Sequence, residues 1–280
     1  VILAPSPSYP IHTFGFIIAG ATIRSVPTTP DERYWRALEN AMDYTVPRPT
    51  VLVVNYPSNP TAETVDLAFY ERLVAWAKEN RVWVLSDLAY SELYYDGKPT
   101  RSILEVPGAK DVAVEFTSMS KTYSMAGWRM GFAVGNPTLI SALTRVKSYL
   151  DYGAYTPIQA AAVAALNGPQ DTVERMRVEY ERRRRFMVER LNALDGVHCD
   201  LPLGAFYVYP DLSSYFGHSA AGGRPIVPMK IAWLSQPCGP SGASKRGTVR
   251  KYRDVAPATR LLVRPTLRTW ISAPSCARII

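Results

Sequence analysis

Short runs of β-branched and apolar residues recur through the first half of the chain, and several stop abruptly on a polar side chain. Val51–Asn55 reads VLVVN, residues 82–87 read VWVLSD and residues 112–118 read VAVEFTS. A weaker run spans residues 129–134 (RMGFAV), another covers residues 22–26, and the chain begins inside a further strand-like stretch. Strands that are apolar along nearly their whole length are buried on both faces, as in parallel sheets flanked by helices. Between two of these runs, Leu67, Tyr70, Leu73, Val74 and Ala77 recur at helical spacing. The alternation predicts an α/β fold, with a three-layer α/β/α large domain around a mostly parallel sheet.

Beyond residue 137 the pattern turns helical. Pro137 suits the first turn of a helix running to residue 147. An Ala-rich helix is expected over residues 157–166, and a long charged one over residues 172–194. The Arg182 to Arg185 run reads as the solvated face of that helix, with glutamates nearby as partners, rather than as a phosphate patch. Residues 204–209 (GAFYVY) predict a strand of a smaller α+β C-terminal domain. The expected partition is a large cofactor-binding domain over 1–165, part of a small domain over 166–226, and an atypical tail over 227–280.

In an open α/β sheet the binding crevice lies at the carboxyl ends of the strands. This chain places its polar groups there. Asn55 is followed by Pro57-Ser58-Asn59-Pro60-Thr61, Asp87 by Tyr90, and Ser118 by Lys121 and then Gly127-Trp128-Arg129-Met130-Gly131. Singly, each has an ordinary reading: a surface lysine, a helix cap at Asp87 or Ser118, a turn at Asn59-Pro60, an arginine paired with a surface acid. Together they meet the needs of one cofactor. A partly buried lysine near cationic charge is a Schiff-base amine. Asp87 suits a protonated pyridine nitrogen, and the Asn59 amide and Tyr90 hydroxyl suit a ring phenolate. Arg129 and Ser118 suit a phosphate.

Ser118-x-x-Lys121 followed by Gly127-Trp128-Arg129-x-Gly131 resembles the lysine signature of the class I/II (fold type I) aminotransferases. Ser58-Asn59-Pro60-Thr61 and Asp87-x-x-Tyr90 lie in that family's order and spacing, and the resemblance covers roughly residues 1–220. Pro7-Ser8-Tyr9-Pro10-Ile11-His12, Asp87-Leu88-Ala89-Tyr90 and Lys147-Ser148-Tyr149 resemble the glutamate–pyruvate (alanine) transaminase branch, close to the LL-diaminopimelate aminotransferases. The resemblance implies a pyridoxal 5'-phosphate enzyme of the PLP-dependent transferase-like fold that moves an amino group between an amino acid and a 2-oxo acid. It implies that Lys121 forms the aldimine and moves the substrate proton. Asp87 would pair with the ring nitrogen, Asn59 and Tyr90 with the ring hydroxyl, and Ser118 and Arg129 with the phosphate. Tyr9 would stack on the ring or else be a plain turn tyrosine. It further implies a cytoplasmic homodimer, with Tyr155 and Thr156 near the neighbour's phosphate. Another reaction on the same scaffold, such as a β-lyase or a different amino-acid transaminase, stays open, as does an inactive fragment.

Family members begin roughly a hundred residues earlier, so an N-terminal portion is expected to be missing. The C-terminal end also departs from the family. An arginine gripping the substrate carboxylate is implied there, and Arg250 is the candidate for it, with Asn59 as a second substrate contact. However, Lys251-Tyr252-Arg253-Asp254 is not the apolar strand expected to follow. Near Pro228 periodicity is lost, and the tail reads as disordered or frameshifted. That tail also decides the meaning of the +8 formal charge. Residues 221–280 hold eleven of the 32 Lys/Arg and one of the 24 acids, leaving the first 220 residues at −2. The body therefore has no nucleic-acid footprint, and a nucleic-acid-binding reading rests on the tail alone. No apolar run reaches membrane-spanning length, and the opening residues 1–5, without a basic segment, are not expected to be a signal peptide. Three scattered cysteines suit a reducing compartment and offer no metal spacing.

Overall fold

The computed structural model describes residues 1–219, Gly223, Ile226 and a strand at residues 277–279. The remainder of the expected tail, including Arg250, lies outside the described residues. Seven strands form one sheet in the order β2-β1-β3-β4-β5-β6-β7. They are β1 (Ile2–Ser6), β2 (Ile23–Pro27), β3 (Val51–Asn55), β4 (Trp83–Asp87), β5 (Ala113–Ser118), β6 (Gly131–Gly135) and β7 (Ala277–Ile279). The first five run parallel, β6 pairs antiparallel with β5, and β7 antiparallel with β6. The mostly parallel sheet expected from the apolar runs is formed.

Successive residues of the central strands face opposite layers. Val84 and Ala113 join a core with Tyr34, Trp35 and Leu38 of α2 (Glu32–Tyr44) and Phe69, Tyr70 and Leu73 of α3 (Leu67–Asn80). Their neighbours Leu85 and Val114 point the other way, onto Ile140 and Leu143 of α5 (Pro137–Leu150). Each sheet face is thus roofed by helices. Aspartates start both helices of the first roof: Asp31 accepts from Arg33 N, and Asp66 from Phe69 N. Their carboxylates satisfy N–H groups that have no partner inside the helix. Arg81 closes α3 in a left-handed conformation. A helix α1 (Ile11–Ile18) follows β1, a single turn α4 (Met119–Thr122) follows β5, and α6 (Thr156–Asn167) and α7 (Asp171–Asn192) complete the set. Among the described residues no helix is long and apolar enough to cross a membrane.

Three expectations change. The weak run at 129–134 becomes a strand only from Gly131, because Arg129 adopts a left-handed conformation (φ 52°). A Cβ on Gly131 would lie 2.7 Å from the Thr117 carbonyl oxygen, so only glycine lets β6 approach β5 this closely.

Residues 204–209 do not form a strand. Among the described residues the segment has a single bridge, Tyr94 to Gly204, and Ala205 turns left-handed (φ 58°). With one pairing partner and a turned backbone, the alternating pattern has no ladder to join. Its aromatic rings instead pack against Tyr90.

The arginine run of α7 is solvated only in part. Arg182 and Arg183 pair with Glu179, and Arg185 with Glu181 and Asp96, as expected of an exposed face. Arg184 is 5% exposed. It stacks over the Tyr95 ring at 4.5 Å, and donates to the Pro202 carbonyl at 2.6 Å and to Asp96 at 2.8 Å.

Candidate active site

The carboxyl ends of β3, β4 and β5 lie side by side, with Asn55 opposite Asp87 and Asp87 opposite Phe116. Asn55 is buried and fastens this corner. Its amide donates to the Asp87 carbonyl at 2.9 Å, and its side-chain oxygen accepts from Asn59 N at 2.9 Å. The Ser58 hydroxyl, 2.5 Å from the Thr61 hydroxyl, accepts from Glu63 N at 2.8 Å and tightens the same loop. The Asn59 amide therefore reaches Tyr90, donating to its hydroxyl at 3.5 Å.

Asp87 is held on both carboxylate oxygens. Oδ1 accepts from Ala89 N at 3.1 Å and Oδ2 from His12 Nε2 at 2.8 Å. His12, in the first turn of α1, is 5% exposed, and its Nδ1 lies 2.8 Å from Ser8 Oγ. A carboxylate offers about four acceptor positions, so Asp87 retains capacity for a further N–H. Tyr9 meets the His12 ring edge to face at 5.9 Å and is 48% exposed.

Lys121 sits in the turn directly after β5, with Nζ 5.9 Å from the centre of the Tyr90 ring. It makes no hydrogen bond or ion pair among the described residues. Ser118 accepts from Ser120 N at 3.1 Å and so caps α4, leaving its hydroxyl hydrogen to donate. The antiparallel pairing sets Gly131 opposite Ser118, and Met119 N donates to the Met130 carbonyl at 3.1 Å. These contacts bring the Arg129 loop beside the lysine turn. Arg129 is exposed, and one guanidinium nitrogen donates to the Ala126 carbonyl at 2.8 Å.

The structure thus gathers Asn59, Asp87, Tyr90, Ser118, Lys121 and Arg129 at the carboxyl end of the central parallel strands. Tyr155 is largely exposed at the N-cap of α6. Burial, above all, pushes the Tyr90 hydroxyl well up, aided by the negative charge of Asp87, so it keeps its proton at neutral pH. Burial alone pushes Glu92 up to about 7.

Three residues of this group, His12, Asn55 and Tyr207, were given no role from the sequence. His12 belongs to no recurring pattern, though it is the one ionisable residue in the apolar stretch of residues 11–18. Asn55 carried a signal, an amide closing a run of valines. Tyr207 carried none, because its partner lies 117 positions away.

The donor set fits pyridoxal 5'-phosphate: an amine without a counter-ion among the described residues, a carboxylate with spare acceptor capacity, a phenol and an amide, and a guanidinium beside a hydroxyl. Similarity to known proteins points the same way. The sequence profile described as aminotransferase class I and II matches residues 1–230. The chain is 54% identical over 218 residues to AatC of Rhizobium meliloti (strain 1021), covering 78% of this chain and 54% of the relative. It is 50% identical over 208 residues to the glutamate-pyruvate aminotransferase AlaC of Escherichia coli (strain K12), covering 74% and 50%. Among solved structures, the aspartate aminotransferase of Rhizobium meliloti superposes with a TM-score of 0.73 at 30% identity, covering 81% of this chain and 57% of the other. The chain spans about half the length of the curated relatives it matches. The chain belongs to the class I and II aminotransferases.

Proposed function

We propose that the crevice holds pyridoxal 5'-phosphate and that the protein transfers an amino group between an alanine- or glutamate-type amino acid and a 2-oxo acid. The observation that carries this is Lys121, an amine with no ionic partner among the described residues, one strand away from the doubly held carboxylate of Asp87. When bound, the cofactor supplies an aldehyde that takes up amino groups and a ring that accepts the electron pair released at the substrate Cα.

The chain's own groups do the rest. Lys121 Nζ would hold the cofactor through its aldehyde carbon and, once displaced by the substrate amine, would move the proton between the substrate Cα and that carbon. Asp87 keeps a proton on the ring nitrogen, and His12 holds Asp87 in place for this. Tyr90 and Asn59 donate to the ring oxygen. Arg129 and the Ser118 hydroxyl hold the phosphate, with Tyr9 over the ring face. Asn59 and Arg250, the latter outside the described residues, are the candidates for the substrate carboxylate. The 50% identity to a glutamate-pyruvate aminotransferase supports the donor class over the LL-diaminopimelate enzymes, which match at 39–43%.

A homodimer is part of the proposal. Tyr149, Leu150, Tyr152 and Tyr155 leave a large apolar surface exposed around the end of α5. Small soluble substrates suit a cytoplasmic protein.

Purified protein mixed with pyridoxal phosphate should show a visible absorbance band that Lys121→Ala abolishes. A panel of 2-oxo acids then identifies the acceptor, and sedimentation gives the oligomeric state. Absence of the band in the unaltered protein overturns the reading. A band with elimination but no amino transfer would favour a β-lyase.

A further inference from the structure

Tyr207 reaches the site from far along the chain, and its hydroxyl lies 2.5 Å from that of Tyr90. It is not held there by chance contact of a surface rotor. The backbone before it is anchored at three points: Ala205 N donates to the Leu93 carbonyl at 2.8 Å, Tyr95 Oη donates to the Ala205 carbonyl at 2.5 Å, and Tyr95 N donates to the Leu203 carbonyl at 3.2 Å. Gly204 lies so close to the Asn59 loop that a Cβ would come within 2.7 Å of Pro57 Cγ and 2.9 Å of Thr64 Cγ2. Phe206 then meets Tyr90 edge to face at 5.3 Å, and the Tyr207 ring meets it at 5.5 Å.

A phenol has one hydrogen to donate and two lone pairs to accept with. The Asn59 amide already donates to Tyr90. If Tyr90 gave its hydrogen to Tyr207, none would remain for a ring oxygen in the crevice. If Tyr207 is the donor, both lone pairs of Tyr90 are filled and its hydrogen is free to point at the cofactor. Chained hydroxyls also polarise one another, which makes the last one a stronger donor. Resting on the cofactor reading above, we infer that Tyr207 is a positioning residue: it donates to Tyr90 and thereby aims and strengthens the Tyr90 hydrogen bond to the ring oxygen of pyridoxal phosphate. The charged or titratable neighbours of this pair are Asp87, Lys121 and Tyr9.

The consequence is spectroscopic. In the loaded protein the ring oxygen helps to hold the proton on the Lys121 nitrogen. A donor on that oxygen weakens its hold, so the proton leaves at lower pH, and loss of the donor raises the pH midpoint of the visible band. The test is a spectral pH titration of the full chain loaded with pyridoxal phosphate, comparing the unaltered protein with Tyr90→Phe, Tyr207→Phe, the double variant and Phe206→Leu. Tyr207→Phe keeps the ring and its packing. We expect Tyr90→Phe to raise the midpoint, Tyr207→Phe to raise it by about half to one pH unit, and the double variant to match Tyr90→Phe alone. Phe206→Leu, which disturbs the packing but no hydroxyl, should leave the midpoint in place. An unchanged midpoint in Tyr207→Phe overturns the inference. So does a Tyr207→Phe shift that persists without the Tyr90 hydroxyl, or an equal shift in Phe206→Leu. A missing visible band in the unaltered protein instead overturns the cofactor reading, and the inference with it.

Discussion

Asp87 illustrates how much of a site is decided by partners that a motif does not contain. Its two oxygens are fixed by Ala89 N and by His12, which comes from 75 positions earlier. Replacing it by Asn keeps the shape and removes the charge. Asp87→Asn should lower kcat by about 10²–10³-fold, the usual cost of losing a preorganised electrostatic partner, with the unfolding midpoint nearly unchanged. His12→Ala acts one step removed. It leaves Asp87 free to turn, so titration by absorbance should show pyridoxal phosphate binding weakened by about tenfold. Lys121, Asp87 and Arg129 could be read from the sequence because each closely follows a strand or a glycine turn at a telling spacing. The roles of His12 and Tyr207 could not, because they exist only once distant segments meet, and Asn55 showed itself only as an amide closing an apolar run.

Among the elements, strands buried on both faces were the most legible, since an uninterrupted apolar run admits few other environments. The helical stripe of α3 was also legible, and Tyr70, Leu73, Val74 and Ala77 are all buried. Leu73→Ala should cost about 2–5 kcal/mol in urea unfolding. Residues 204–209 were misread because alternation implies a strand only when a neighbouring strand is available. The arginine run of α7 hid a second lesson. Four consecutive arginines look alike in sequence, yet only Arg184 turns inward onto Tyr95 and Asp96. Asp96→Ala removes the nearest carboxylate from that buried charge, leaving it the Pro202 carbonyl, the Tyr95 ring and Glu181 at 3.9 Å, and should cost about 3 kcal/mol. Arg182→Ala, on the outer face, should stay within about 0.5 kcal/mol.

At the scale of the whole molecule, a buried carboxylate and a half-buried one shape the pH response. Glu115 is 2% exposed within the sheet, and burial pushes it up to about 7 despite hydrogen bonds from Ser102, Ser86 and Ile103 N. Burial pushes Glu92 to a similar value. A carboxyl with a raised value in the folded state favours folding fully below the unfolded value near 4.5. That contribution is lost as pH rises through about 7, because the unfolded chain ionises first. Stability should therefore fall between about pH 5 and pH 8, by up to about 3 kcal/mol per group. Glu92→Gln should flatten the profile measured by urea unfolding across that range. The sheet also carries a dimensional constraint. Lys121 follows one strand and Arg129 precedes the other at the same end of a tight antiparallel pair, and the gap between those strands at that end is set at Gly131, where no side chain fits. A missing methyl group thus acts as the gauge for the distance between the amine and the guanidinium. Gly131→Ala would touch no ligand, yet it would spread the two grips on a molecule whose own length cannot change.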